Sequence, residues 1–224
     1  MKTLFKKRRQ MPDCRFLKEG IVDCSHCGDD GLFDGTSVLT ENGWQDVSQI
    51  KASDLVMTLE NHLQPVLKNS EKRIWLDPGD CPTSVCPFFI PPAVLGNDVE
   101  LFLHGETMVV IVANFRDQLN CRPFLVHVND LEGIRNITQV QPNRTTSLFE
   151  LNFESRQIVN TNGGAPVVRR PRAGIGDRYD IFSKDHNKNY PPNTCVELSH
   201  SEANEILAGD WMTLAQCFSQ NAAS

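Results

Sequence analysis

Gly31-Leu32-Phe33-Asp34-Gly35-Thr36-Ser37-Val38-Leu39-Thr40 opens the stretch on which the fold turns. It runs through Asn42-Gly43-Trp44-Gln45-Asp46-Val47 into Ile50-Lys51-Ala52-Ser53-Asp54-Leu55-Val56-Met57-Thr58. Thr36–Thr40 and Leu55–Leu59 read as short strands, and the Glu41-Asn42-Gly43 cluster between them is a turn signal. Working outward, the same reading predicts strands at Val99–Leu103, Thr107–Ala113, Phe124–Val128, Asn136–Val140, Ser147–Phe153 and Gln157–Asn160. Many short strands without intervening helices predict an all-β fold with non-sequential pairing.

Two stretches read as loops. Leu76–Pro92 carries five prolines, which suits an extended surface loop better than a central strand. Gly164–Arg178 combines Pro166 and Pro171 with glycines and arginines. Beyond it, Ser199-His200-Ser201-Glu202 has the form of a capping box before a short helix over Ala203–Leu207, stopped by Gly209. The expected organisation is a basic, cysteine-containing segment at 1–30, a β domain at 31–165, and a loop and short-helix extension at 166–224.

Composition narrows the classes of function. A hydrophobic fraction of 40% is enough for a packed core and excludes disorder for the body of the chain. A net charge of −6 with 8% aromatic residues argues against non-specific nucleic-acid binding. The longest apolar run, Met108–Ala113, is far short of the ~18–20 residues that span a bilayer. The cluster Lys2, Lys6, Lys7, Arg8 and Arg9 is followed by Gln10-Met11-Pro12-Asp13-Cys14-Arg15 rather than by the apolar core of an export signal. The expectation is therefore a solvated basic segment on a cytoplasmic protein whose thiols stay reduced.

Eight cysteines invite a metal or redox reading. Cys24-Ser25-His26-Cys27 is one tight knuckle, but Cys81 and Cys86 form only a loose, proline-containing pair, whereas structural zinc wants four ligands converging as a tetrahedron. A dithiol redox motif belongs between a strand and a helix, and Gly28-Asp29-Asp30-Gly31 reads as loop. No metal or other cofactor is expected, and a small zinc-stabilised module built on Cys24, His26 and Cys27 stands as an alternative. Neither a G-x-S-x-G elbow nor a phosphate-binding G-x-x-x-x-G-K-[ST] loop occurs.

The opening stretch resembles the start of a Hint (Hedgehog/intein) domain, in which a "Cys-Phe-x-x-Gly-Thr-x-Ile-x-Thr" strand leads through a turn into "Val-x-x-Leu-x-x-Gly-Asp-x-Val-x-Thr". The bacterial variety of that family is similar also at Leu63-Gln64-Pro65-Val66, at Pro87-Phe88-Phe89-Ile90 with Ala93-Val94-Leu95-Gly96, and at Leu148–Val159. The resemblance covers about residues 31–165 and implies an all-β horseshoe of short strands. It also implies a chemistry. The first residue of such a domain is a Cys or Ser whose side chain attacks the preceding carbonyl, and an imidazole on a later strand protonates the leaving amide nitrogen.

Anchoring Gly35-Thr36 on the family's Gly-Thr places the nucleophile position at Gly31, which has no side chain. The imidazole of the second block falls at Thr107, within Leu101-Phe102-Leu103-His104-Gly105-Glu106-Thr107, and that of the third at Arg156. The resemblance therefore implies a Hint-type protein without autoprocessing, acting as an interaction or structural module for a protein partner. The alternative is an active self-cleaving domain that uses Cys27, with His104 replacing the lost imidazole. In an extended strand His104 and Thr107 would point to opposite faces, because their offset is odd, which leaves His104 most simply as a strand-end or turn residue.

Overall fold

The computed structural model describes residues 27, 30–59, 62–113, 122–169, 195–214 and 216–217. Strand is the predominant secondary structure of its described residues, with one α-helix, as expected for an all-β fold with a short helical tail. In chain order the strands are β1 (Leu32–Phe33), β2 (Ser37–Thr40), β3 (Gly43–Asp46), β4 (Leu55–Thr58), β5 (His62–Pro65), β6 (Lys68–Ile74), β7 (Phe88–Ile90) and β8 (Leu101–Leu103). There follow β9 (Met108–Ala113), β10 (Arg122–His127), β11 (Thr138–Gln139), β12 (Thr146–Asn152), β13 (Gln157–Thr161), β14 (Ala165–Arg169), β15 (Val196–Glu197) and β16 (Trp211–Met212). Helix α1 (His200–Leu207) lies between the last two.

Three sheets result. The largest has ten strands in the order β15-β10-β9-β14-β13-β2-β4-β5, with β3 paired to β2 and β16 paired to β9. Two three-stranded sheets, β1-β12-β6 and β11-β7-β8, complete the body. All eight strands expected from the sequence have a counterpart. Strand β9 is buried at all six positions, which is why Met-Val-Val-Ile-Val-Ala reads as a continuous apolar run instead of an alternation. Its Val and Ile side chains each contribute roughly 1.5–3 kcal/mol of burial.

Two loop expectations are corrected. Residues 76–92 hold strand β7, and Cys81, Val85, Cys86, Phe88 and Ile90 are buried there. The prolines are compatible because Pro78 opens a 3-10 turn, Pro82 caps another, and Pro87 and Pro91 flank the strand. The Gln141 amide ties this segment down by donating to the Pro78 carbonyl at 2.6 Å. Likewise, β14 replaces the start of the expected loop at 164–178, and its five residues are all buried. Pro166 stands opposite Asn160 on β13, and β14 meets β9 at Val167↔Val109, so the missing N–H falls beside that contact. The rest of that expected loop, from residue 170, lies outside the described residues.

Residues 195–217 are built into the same body. Strand β15 extends the large sheet parallel to β10, and β16 pairs with β9 at Trp211↔Ala113. Arg135 stacks on the Trp211 ring at 3.7 Å and donates to its carbonyl at 2.5 Å. Helix α1 begins at the expected capping box: the Glu202 backbone N–H donates to Ser199 Oγ, and the Ser199 N–H donates to Glu202 Oε2 at 3.0 Å. It buries Ala203, Ile206 and Leu207 in the main core.

His200, at the start of α1, is held at 2.5 Å from Asp130 in the 3-10 turn Val128–Leu131. His127 on β10 and Glu106 face the same spot. The hydrogen bond to Asp130 and its charge hold the His200 pKa above the ordinary histidine value, with a smaller contribution from Glu106. A raised folded-state pKa stabilises below the unfolded value of about 6.5 and loses that stabilisation as pH rises through the folded value. The parent chain is therefore expected to melt above a His200→Asn variant in mild acid and to converge with it in mild alkali. A melting difference that stays constant with pH would show that the pair does not anchor α1.

Candidate functional site

The chain enters the domain through Asp30 and Gly31, immediately before β1. Strand β1 pairs with β12 at Leu32↔Phe149 and Phe33↔Leu148. This register lays Leu148 against Gly31: a Cβ at position 31 would stand 2.5, 2.9 and 2.9 Å from Leu148 Cγ, Cδ1 and Cδ2. Position 31 therefore lacks a nucleophile, and the volume that one would need is filled by a leucine. Sequence reasoning reached the first of these facts and missed the second, which depends on strand register.

Thr107 is fully buried. The chain is not extended between His104 and Thr107, and His104 stands at a turn after the strand end, as expected from the sequence. Residues 104–107 form a tight turn in which the Thr107 N–H donates to the His104 carbonyl at 3.0 Å. Asn129 packs close over Gly105 in this turn: a Cβ there would stand 2.0 Å from Asn129 Oδ1, so the Asn129 side chain would have to move. His104 is also buried, and its Nδ1 accepts from the Glu106 N–H at 3.4 Å.

The side chain next to Gly31 is engaged by a group that the sequence gave no reason to pair with it. Thr107 Oγ1 donates to Asp30 Oδ1 at 3.1 Å, and Arg169 Nη2 meets Asp30 Oδ2 at 2.7 Å. Arg169 is 2% exposed and the Asp30 side chain 17%. Arg169 ends β14, where the loop reading concealed it, and stands opposite Gln157 on β13. Thus an ion pair with a hydroxyl partner sits at the junction before position 31.

Arg156, in the turn between β12 and β13, points elsewhere. Its Nη1 donates to Glu197 on β15 at 3.2 Å, and its Nη2 approaches the Met108 sulfur at 3.5 Å. It ties that turn to the C-terminal extension. The fallback nucleophile Cys27 is 2% exposed and packs in a second apolar cluster with Phe33, Trp75 and Leu148. Its Sγ accepts the Trp75 backbone N–H at 3.5 Å. Cys27, Cys81, Cys86, Cys195 and Cys217 all carry thiols, not disulfides. Among the described residues no group of three or more His, Cys, Asp or Glu is placed to hold a metal; Cys24 and His26 lie outside them. No helix among the described residues is long and apolar enough to cross a membrane.

Among solved structures, the bacterial intein-like domain from Clostridium thermocellum matches with a TM-score of 0.43 at 12% identity, covering 62% of this chain and 98% of that one. The gp41-1 intein matches with a TM-score of 0.35 at 12% identity, covering 63% of this chain and 99% of that one. A splice-inactive variant of the AceL NrdHF class 3 split intein matches with a TM-score of 0.38 at 11% identity, covering 64% and 99%. No curated protein matches the chain. The family model of the Hint domain matches residues 31–166. That span is more than half of the 224 residues, and the chain belongs to the Hint domain family.

Proposed function

We propose that this chain is a Hint domain without autoprocessing, retained as an interaction or structural module for a protein partner. The observation that carries the reading is the packing of Leu148 into the place where a side chain at Gly31 would project. An acyl shift needs a side-chain nucleophile next to the preceding carbonyl, and its loss removes the ester or thioester on which every later step depends. Thr107 and Arg156, at the aligned imidazole positions, are engaged with Asp30 and Glu197. Cys27 is packed among apolar side chains, which supports a structural thiol there. Cytoplasmic residence belongs to the same reading.

The purified chain is accordingly expected to keep its full 25.2 kDa after prolonged incubation, with or without added thiol. Intact-mass spectrometry reads this directly. A discrete thiol-dependent break between Ser25 and Gly31, lost in Cys27→Ala, would overturn the inactive reading and assign the chemistry to Cys27. Trimming within the first ten residues does not bear on it, since it falls outside the Ser25–Gly31 interval.

A further inference from the structure

Asparagine precedes glycine at two places, Asn42-Gly43 and Asn162-Gly163. In such a pair the glycine nitrogen can attack the asparagine side-chain amide carbon, because no Cβ hinders its approach. Both pairs sit in hairpin turns, one joining β2 to β3 and the other β13 to β14. The fold treats them oppositely. Asn162 is 5% exposed. Its Oδ1 accepts from the Ser37 N–H at 2.7 Å and from Ser37 Oγ at 3.3 Å, and its Nδ2 donates to the Glu100 carbonyl at 2.9 Å. Its backbone N–H donates to the Ser37 carbonyl, and its own carbonyl accepts from the Asp98 N–H. Asp98 also covers Gly163, where a Cβ would stand 2.3 Å from Asp98 Oδ2. The flanking strands β13 and β14 both lie inside the large sheet.

Asn42 is exposed, and among the described residues its side chain has no hydrogen-bond partner. The turn keeps its shape without that side chain. Thr40 Oγ1 accepts the Asn42 backbone N–H at 3.1 Å and donates to the Gly43 carbonyl at 2.8 Å. Gly43 opens β3, which pairs with β2 alone, and a Cβ at Gly43 would meet nothing within 4 Å. Only the terminal Thr40↔Gly43 rung has to open to free the Gly43 nitrogen, and the ends of strands open most readily.

We infer that the β2–β3 turn is a site of spontaneous modification whose substrate is the Asn42 amide. The Gly43 nitrogen bonds to Asn42 Cγ, the Cγ–Nδ2 bond breaks, and ammonia leaves with the Gly43 amide proton. Water then opens the cyclic imide at either carbonyl, giving aspartate, or isoaspartate with one extra carbon in the main chain. Either product adds a negative charge beside Glu41, and the longer main chain of isoaspartate displaces the Thr40↔Gly43 rung. The modification is independent of whether position 31 is inert. Incubating the whole folded chain in mildly alkaline heavy-oxygen water, followed by peptide mapping, reads both turns in one sample. Heavy oxygen is expected at residue 42, and at residue 162 at least about tenfold more slowly, because the side-chain hydrogen bonds of Asn162 must open first. In urea that unfolds the chain, the two rates converge. Gly43 has a φ of +93°, so replacing it would strain the turn, and Asn42→Gln is the variant of choice. Its side chain would have to close a larger ring, so the residue-42 product is lost while the melting temperature stays that of the parent. Equal incorporation at 42 and 162 in the folded chain overturns the proposal. So does a rate at Asn42 no higher than at the exposed Asn143, which Arg144 follows.

Discussion

Arg169→Met is expected to cost about 3–5 kcal/mol, because it leaves a largely buried carboxylate without its cation. The Asp30 side chain is 17% exposed, and Arg169 Nη2 stands 2.7 Å from its Oδ2. With Arg169 gone, Thr107 Oγ1 is its remaining hydrogen-bond donor among the described residues. For a domain of this size each kcal/mol moves the melting temperature by about 2–4 °C, so the fall is about 6–20 °C. The pair itself is not expected to be a net stabiliser. Arg169 Nε and Nη1 are buried with no hydrogen-bond partner among the described residues, so desolvation of the guanidinium is incompletely offset. Asp30→Asn combined with Arg169→Met therefore restores most of the loss, since replacing both members removes the orphaned charge. Thermal unfolding of the two single variants and the double variant gives the coupling energy. Coupling below about 0.5 kcal/mol would mean that the two groups do not depend on each other.

The contrast between what the sequence foretold and what it hid follows from the range of the interactions. Thr36–Thr40 and Leu55–Leu59 were legible because a strand with one buried face writes its own period, and both appear close to their expected limits. The helix was legible because Ser199 and Glu202 satisfy its first turn locally. Strand β6 was not, since Lys68-Asn69-Ser70-Glu71-Lys72-Arg73-Ile74 is an edge strand whose charges face water, and charge on an edge suppresses the apolar pattern. Strand β14 was hidden by its own Pro166 and by neighbouring glycines, a local signal overridden by its place between β9 and β13.

The site divides in the same way. That residue 31 carries no side chain is read directly from the sequence, with its expected place set by Gly35-Thr36. The Asp30–Arg169 pair was not legible, because it exists only once the order β9-β14-β13 brings the end of β14 beside the start of the domain. The break at 104–106 was legible between the strands read at Val99–Leu103 and Thr107–Ala113, whereas the packing of Asn129 against Gly105 is a contact across space that no local signal records.

Gly31→Cys restores the family's nucleophile in name, yet it is expected to destabilise the chain by about 1–3 kcal/mol through overpacking and to leave its mass unchanged. The new Cβ would stand 2.5 Å from Leu148 Cγ, so either the Leu148 side chain on β12 moves or the entry into β1 shifts. Leu148→Ala alone opens a cavity in the cluster of Phe33, Ile74 and Trp75 and costs about 2–5 kcal/mol. Each change supplies the space or the volume that the other lacks, so the double variant Gly31→Cys/Leu148→Ala is expected to be more stable than the sum of the two by about 0.5–3 kcal/mol. Strict additivity in denaturant unfolding would mean that Leu148 is not what excludes a side chain from position 31. The double variant also separates the lost nucleophile from the rest of the site. With Thr107 hydrogen-bonded to Asp30 and Arg156 held by Glu197, no imidazole stands at either aligned position to protonate a leaving amide. Its mass is therefore expected to remain whole in the presence of thiol or hydroxylamine. Cleavage at Asp30–Gly31 in that variant would show that the surrounding site activates a thiol placed there, and would overturn the expectation that the neighbouring groups cannot support the chemistry.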